Sequence, residues 1–289
     1  MKTMKIFLAL LPLILLIGCG DPDVEITSAE YQPKIAVEAF LFCGETVKEI
    51  RLSRNFRLGE SSNWNDLYLS PAKNSVTATI NGTPLEFDET TATYFSNDIT
   101  VEFDKTYTLE ISATIDGKQL HTTSVTTTPK EGFAVLNHDL GTVIYEDAQL
   151  IIDFKTSPGT GLYIFSLMAE SASVDDFIYD NPYFPNMSSE DLLNNYNTYR
   201  YQYNMVSDID SYSNEIYTFD IHGYDTWFYG KYTTTAYAGD LNFRYYLFTA
   251  TELQEMDGNF HEPIQIFNGD GIGVFASAIK EIVTFTITK

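Results

Sequence analysis

Cysteine, histidine and basic residues are all scarce in this 289-residue chain, and no apolar run in it is long enough to span a bilayer. It has two cysteines, four histidines, and 17 Lys and Arg against 40 Asp and Glu, for a formal net charge of −23. The shortage of cations excludes a nucleic-acid partner, because binding a phosphate backbone requires Lys and Arg to displace its counterions. It also excludes a polybasic patch for anionic lipid. No two of His121, His138, His222 and His261 stand at metal-ligand spacing, so neither a metal nor another cofactor is expected. No Gly-x-Ser-x-Gly elbow is present, which leaves a serine hydrolase without support. Asp208 to Glu215 has the oxygen atoms for Ca²⁺ but lacks the glycine and length of an EF-hand loop, and reads as a solvated acidic loop. The stretch Asn268-Gly269-Asp270-Gly271-Ile272-Gly273 lacks the lysine of a phosphate loop and reads as a tight crossing where only glycine fits. No catalytic residue is assigned, and the chain is expected not to be an enzyme.

What is present begins with an address. Lys2 and Lys5 precede the apolar run Ile6 to Ile17, about a dozen residues, too short for a hydrocarbon core of roughly 30 Å. Leu16-Ile17-Gly18-Cys19 then reads as a lipobox. Residues 1–18 are accordingly expected to be a lipoprotein signal peptide, cut before Cys19, whose thiol takes the lipid; the alternative is an ordinary signal peptide with an incidental cysteine. Loss of Lys2 and Lys5 with the signal lowers the charge from −23 to −25. Residues 19–33 form an acidic tether, opening Gly20-Asp21-Pro22-Asp23-Val24-Glu25. The membrane partner is thus a bilayer held through several acyl chains on one residue. With Cys19 committed, Cys43 has no disulfide partner. It closes the apolar run Ile35 to Phe42, with no basic neighbour to activate it, and reads as a buried structural thiol.

Beyond the tether, Thr, Tyr, Phe, Ile and Val dominate and helical periodicity is scarce, an all-β pattern. Strands are expected at Lys34–Phe42, Val47–Ser53, Ser75–Ile80, Thr83–Phe87, Thr100–Phe103, Tyr107–Ile115 and Gln119–Thr127, with Asn81-Gly82 as the hairpin turn. In Tyr107 to Ile115 the odd positions Tyr107, Leu109, Ile111, Ala113 and Ile115 should face a core. Roughly seven strands in about 100 residues predict an immunoglobulin-like β-sandwich over residues 34–129, with Thr126 to Gly132 as its exit linker. Residues 130–289 are expected to form a second, Tyr-rich antiparallel β domain. Its strands are expected at Gln149–Phe154, Leu162–Ala169, Thr198–Met205, Glu215–Ile221, Lys231–Tyr237 and Ile282–Thr288. Ser188 is expected to cap a short helix. Phe243 to Thr251 reads as a strand or, extended to Met256, as a helix, because its apolar residues do not settle the period.

Four stretches carry a family resemblance: Tyr31 to Phe40, Val47 to Arg54, Lys105 to Lys118 and Pro263 to Ala276. Together with the lipobox they resemble the Bacteroidota lipoproteins of unknown function, DUF family 4249. The acidic residues after Cys19 resemble the surface-export signal of such lipoproteins, which implies display on the outer face of the outer membrane; a periplasm-facing anchor is the alternative. The resemblance also implies an accessory role beside a TonB-dependent receptor. It carries over no catalytic residue.

Of 20 tyrosines, 14 fall between Phe177 and Tyr246, and Glu170 to Asp220 holds ten acids against one base, Arg200. Tyrosine offers an apolar face and a polar edge, suited to stacking on a ligand or a partner. Tyr199, Tyr201 and Tyr203 read as one face of a strand. Tyr224, Trp227, Tyr229 and Tyr232, beside Gly223 and Gly230, are the candidate ligand-binding residues, with core packing as the competing reading. The expectation is a non-enzymatic outer-membrane surface lipoprotein, accessory to TonB-dependent uptake or ligand binding. A surface glycoside hydrolase or protease, and a structural or adhesive surface protein, are the alternatives.

Overall fold

The computed structural model describes residues 31–57, 60, 64–183, 188–206, 216–250 and 264–289. Cys19 and the acidic loop Asp208 to Glu215 lie outside them. The chain divides into two units, Met1–Gln32 with Phe56–Glu60, and Pro33–Asn55 with Ser61–Lys289. In the first unit the Arg57 guanidinium lies 4.9 Å from the Tyr31 ring centroid. Among the described residues every strand belongs to the second unit.

The strands of its first half are β1 (Ile35–Phe42), β2 (Thr46–Arg54), β3 (Thr77–Ile80), β4 (Thr83–Pro84), β5 (Glu86–Asp88), β6 (Thr93–Thr100), β7 (Thr106–Ile115) and β8 (Lys118–Thr127). Those of the second half are β9 (Ala134–Val135), β10 (Asp139–Ile144), β11 (Gln149–Lys155), β12 (Leu162–Ala169), β13 (Tyr201–Val206), β14 (Ile216–His222), β15 (Gly230–Gly239), β16 (Phe267–Gly269) and β17 (Gly271–Thr288). One sheet runs β13-β12-β15-β17-β1-β2-β6-β5, with β10 added beside β17. Two smaller sheets, β16-β8-β7-β3-β4 and β14-β11-β9, cover it.

The long strand β17 joins two sandwiches. Its start, Gly271 to Ala278, pairs parallel with Ile35 to Phe42 of β1. Its remainder, Ala278 to Ile287, pairs antiparallel with β15. Its odd positions share one face, and position along the strand decides the core they enter: Phe275 the first, Ile279, Val283, Phe285 and Ile287 the second. The first core lies between β1, β2 and β6 on one side and β3, β7 and β8 on the other. All five odd positions of β7, Tyr107 to Ile115, are buried in it. Each aliphatic side chain removed from water there contributes about 1.5–3 kcal/mol before entropy is counted.

At the junction the helix Leu241–Ala250 resolves the ambiguous stretch as a helix. Asp240 caps it, its Oδ1 accepting the Phe243 N–H at 2.9 Å. The other carboxylate oxygen accepts hydrogen bonds from Thr126 and, at 3.1 Å, from Ser277. Asn242 fastens the helix to the first sandwich through the Val125 and Phe275 carbonyls, at 2.7 and 2.9 Å. Arg244 reaches the Gly161 carbonyl of the second at 3.1 Å. Burial raises the Asp240 carboxyl above the usual range, against the pull of these hydrogen bonds. Cys43 is half-buried here and packs on both cores; burial pushes its thiol up to about 11, so it stays protonated.

Several expected elements shift. Thr100 to Phe103 is not a strand: β6 lies earlier, at Thr93–Thr100, and Val101 instead exchanges backbone bonds with Gly44 and Glu45 at the β1–β2 turn. Thr126 and Thr128, at the start of the expected exit linker, are buried. Residues 198–200 belong to the helix Tyr196–Arg200, held by Tyr196 Oη donating to Ala172 O and Arg200 Nε to Ala169 O at 3.0 Å. Strand β17 begins eleven residues before the expected Ile282. Its central residues, 274–279, are buried on both faces, so alternation gives way to a continuous run of buried residues, apolar except for Ser277. Ser188 caps the helix Ser189–Asn194 in a capping box with Asp191, as expected. Among the described residues no helix is long and apolar enough to cross a membrane.

Candidate functional site

One end of the second sandwich gathers four tyrosines from three connections. Tyr145 lies in a helical turn after β10, and Tyr224 in another after β14. The two turns touch because residue 223 is glycine: a Cβ there would overlap the Tyr145 carbonyl oxygen. The Gly223 N–H donates to Ala148 O at 3.0 Å, locking the contact. Tyr183 is brought in by Asn181, a buried amide that donates to Tyr224 O and Thr226 O at 3.0 and 3.1 Å and accepts from Tyr183 N at 3.0 Å. Tyr229 immediately precedes β15.

The rings stand at steep angles to one another. Tyr145 meets Tyr224 at 5.9 Å and 73°, and Tyr229 at 6.1 Å and 80°. Tyr183 meets Tyr224 at 6.0 Å and 85°. Tyr183 and Tyr224 are 68% and 43% exposed, whereas Tyr145 is 4% exposed. The Tyr145 hydroxyl is buried and has no hydrogen-bond partner among the described residues. Burial raises its ionisation well above the usual tyrosine range, and the charge of Asp180 adds to the effect. Tyr229 is raised by burial and then by Asp180 and Glu146. The Lys289 ammonium lies 5.3 Å from the Tyr229 ring centroid.

Of the four expected binding residues, Tyr224 and Tyr229 belong to this cluster and two do not. Tyr232 is 2% exposed and stacks on Phe285 at 5.0 Å. Its hydroxyl accepts from Trp227 N and Phe228 N at 3.1 and 2.9 Å and donates to Phe228 O at 2.9 Å. Burial pushes that hydroxyl up to about 12. Trp227 is 7% exposed, parallel to Phe177 at 6.3 Å and edge-on to Tyr199 at 5.6 Å. The competing core reading holds for these two: Tyr232 is buried within the sandwich and Trp227 under Phe177 and Tyr199, leaving no face for a ligand. The expected strand face of Tyr199, Tyr201 and Tyr203 is also corrected, since Tyr199 lies on a helix and packs inward on Phe177 and Trp227.

Tyr145 and Tyr183 were missed by sequence reasoning. Gly223 was the available signal, since a glycine at a strand end marks a close approach of backbone. A second surface, also missed, is an apolar groove of about 280 Å³ on the outer face of the long sheet, lined by Phe40, Phe42, Ile164, Tyr237, Phe243 and Leu247. Its signal was Phe40 and Phe42 at the outward positions of β1. The glycine motif does form a tight crossing: a Cβ at Gly273, where φ is +108°, would overlap the Val37 carbonyl oxygen.

Two sandwiches sharing one strand define an all-β protein. The sequence matches the model of a family described as "Domain of unknown function (DUF4249)" over residues 21–278, and the chain belongs to that family. No curated protein sequence matches it. Among solved structures, the titin domains Z1Z2 in complex with telethonin align at 10% identity and a TM-score of 0.22, covering 90% of this chain and 98% of that one. A chimeric titin Z1Z2-Z1Z2 tandem functionalized with a fibronectin GRGDS peptide aligns at 8% and 0.20, covering 89% and 97%. Likeness at that level carries no argument, and the all-β class rests on the strands themselves.

Proposed function

We propose that this chain is a non-enzymatic surface lipoprotein of the outer membrane, anchored through lipid on Cys19 and accessory to a TonB-dependent uptake system. The first sandwich serves as spacer and receptor-docking module, and the second presents the contact surface. The observation that carries the reading is the tyrosine cluster, where exposed Tyr183 and Tyr224 stand over buried Tyr145 beside Asp180 and Glu146. Half-exposed aromatic rings with carboxylates around them suit partner recognition. The lipobox and acidic tether support anchoring and display.

The test is purification of the tagged, lipidated chain from gently solubilised outer membranes. A stoichiometric TonB-dependent receptor is the expected companion. Recovery of the chain alone overturns the accessory role. Replacing Cys19 with Ala is expected to release the protein from the membrane fraction; retention of that variant overturns the anchor.

A further inference from the structure

We propose that the cluster of Tyr145, Tyr183, Tyr224 and Tyr229 recognises an ammonium group, with a lysyl side chain of a partner peptide as the class of ligand. The inference rests on the reading of this end of the second sandwich as the contact surface, and specifies its chemistry.

Ring geometry is the first argument. Edge-to-face contacts at 73°, 80° and 85° turn the rings in different directions, so they do not form one flat platform. A sugar stacks on a free ring face. A compact cation instead gains from several ring quadrupoles at once. The second argument is the Tyr145 hydroxyl, on a side chain 4% exposed and without a partner among the described residues. A buried polar atom left unpaired is costly, and its lone pairs suit a donor. An ammonium brings three donors and no acceptor.

Charge is the third argument. Asp180 acts on both Tyr145 and Tyr229, and Glu146 on Tyr229, so the local field is negative and favours a cation over a neutral or anionic group. Finally, one ring of the cluster already faces an ammonium of this chain, that of Lys289, 5.3 Å from the Tyr229 centroid. Lys289 therefore acts as an internal competitor, and removing its charge should tighten binding of an external one.

The probes are Nα-acetyl-lysine methylamide and its uncharged analogue Nα-acetyl-norleucine methylamide. Each is titrated into detergent-solubilised full chain carrying isotope-labelled tyrosine, and ring resonances are followed by NMR. The lysine compound should shift Tyr145, Tyr224 and Tyr229 saturably, and the norleucine compound should not. Lys289→Gln should tighten the lysine compound by about two- to fivefold, and Tyr224→Ala or Asp180→Asn should weaken it by a similar factor. The core tyrosine Tyr163 reports folding in every variant and should keep its resonance. Equal binding of the two compounds, or no saturable shift in the Lys289→Gln protein, overturns the ammonium assignment. Either result leaves the accessory role to be judged separately by receptor co-purification.

Discussion

The two sandwiches share β17 and little else in how they are filled. Among the described residues the first core is built of Ile, Val, Leu and Ala, with buried rings at Tyr94, Tyr107, Phe267 and Phe275 and half-buried Phe87 packed against them. The second is dominated by rings, among them Phe133, Phe154, Tyr163, Phe165, Phe228 and Phe285. Aliphatic side chains place no demand on their neighbours beyond contact. Tyrosines also need a hydrogen-bond partner, and nearly every buried one finds it in the backbone. Tyr94 donates to Leu69 O at 2.9 Å, Tyr107 accepts from Glu102 N at 2.8 Å, and Tyr163 accepts from Ser157 N at 3.0 Å. Tyr145 is the departure, and it stands where the second core opens to solvent. Filling a sandwich with rings thus leaves exposed rings at its end, which an aliphatic core does not supply.

The largest test of that comparison is Phe165→Ala against Leu109→Ala. Both side chains are fully buried, and the expected losses are about 3–5 and 2–5 kcal/mol. Because β17 belongs to both cores, urea unfolding followed by circular dichroism and tryptophan fluorescence should show one transition, moved by either variant. Two transitions, each moved by one variant, would mean that the cores are independent. Trp227→Ala belongs with these as a stability variant, not a binding one.

Next in size, Gly273→Ala should destabilise by more than about 1 kcal/mol, because positive φ and the Val37 carbonyl both oppose a Cβ there. Unchanged stability would show that the β1–β17 crossing yields easily.

Asp240 comes third. Asp240→Ala removes a helix cap and should cost about 0.5–2 kcal/mol. Asp240→Asn keeps an acceptor for Phe243 and removes the buried charge. The native carboxyl binds its proton more tightly than the unfolded one, so its contribution is most favourable below the ordinary Asp value and declines as pH rises toward the raised native value. The wild type should therefore lose stability relative to Asp240→Asn across that window. Parallel curves for the two proteins would contradict the buried charge.

The smallest effects separate two hydroxyls. Tyr232→Phe removes a hydroxyl with three backbone contacts and should cost about 0.5–1.5 kcal/mol. Tyr145→Phe removes an unpartnered one and should be neutral or stabilising, read as a rise in melting temperature. Equal losses in the two would mean that the Tyr145 hydroxyl is paired after all.

Legibility followed the same division. In the first sandwich β7 and the Asn81-Gly82 hairpin were readable because strand alternation and turn chemistry are local. In the second, Tyr199 and Trp227 misled. A ring on an alternating, polar-looking segment reads the same whether it faces water or another ring, and only the packed partner decides. Helix Leu241–Ala250 was ambiguous for a related reason: its cap is Asp240, and its staples, Asn242 and Arg244, act on distant carbonyls.

By itself the sequence determined the all-β class, the inward face of β7, the glycine crossing at Gly273 and the acidic, tyrosine-rich character of the second half. These follow from a two-residue period, from sterics at one Cβ and from composition, all properties of short segments. Only the tertiary structure decided that β17 runs through both sandwiches, that Trp227 and Tyr232 turn inward, and that Tyr145 joins Tyr183, Tyr224 and Tyr229. Such choices depend on which distant surfaces bury together, a property of the whole chain that no local pattern encodes.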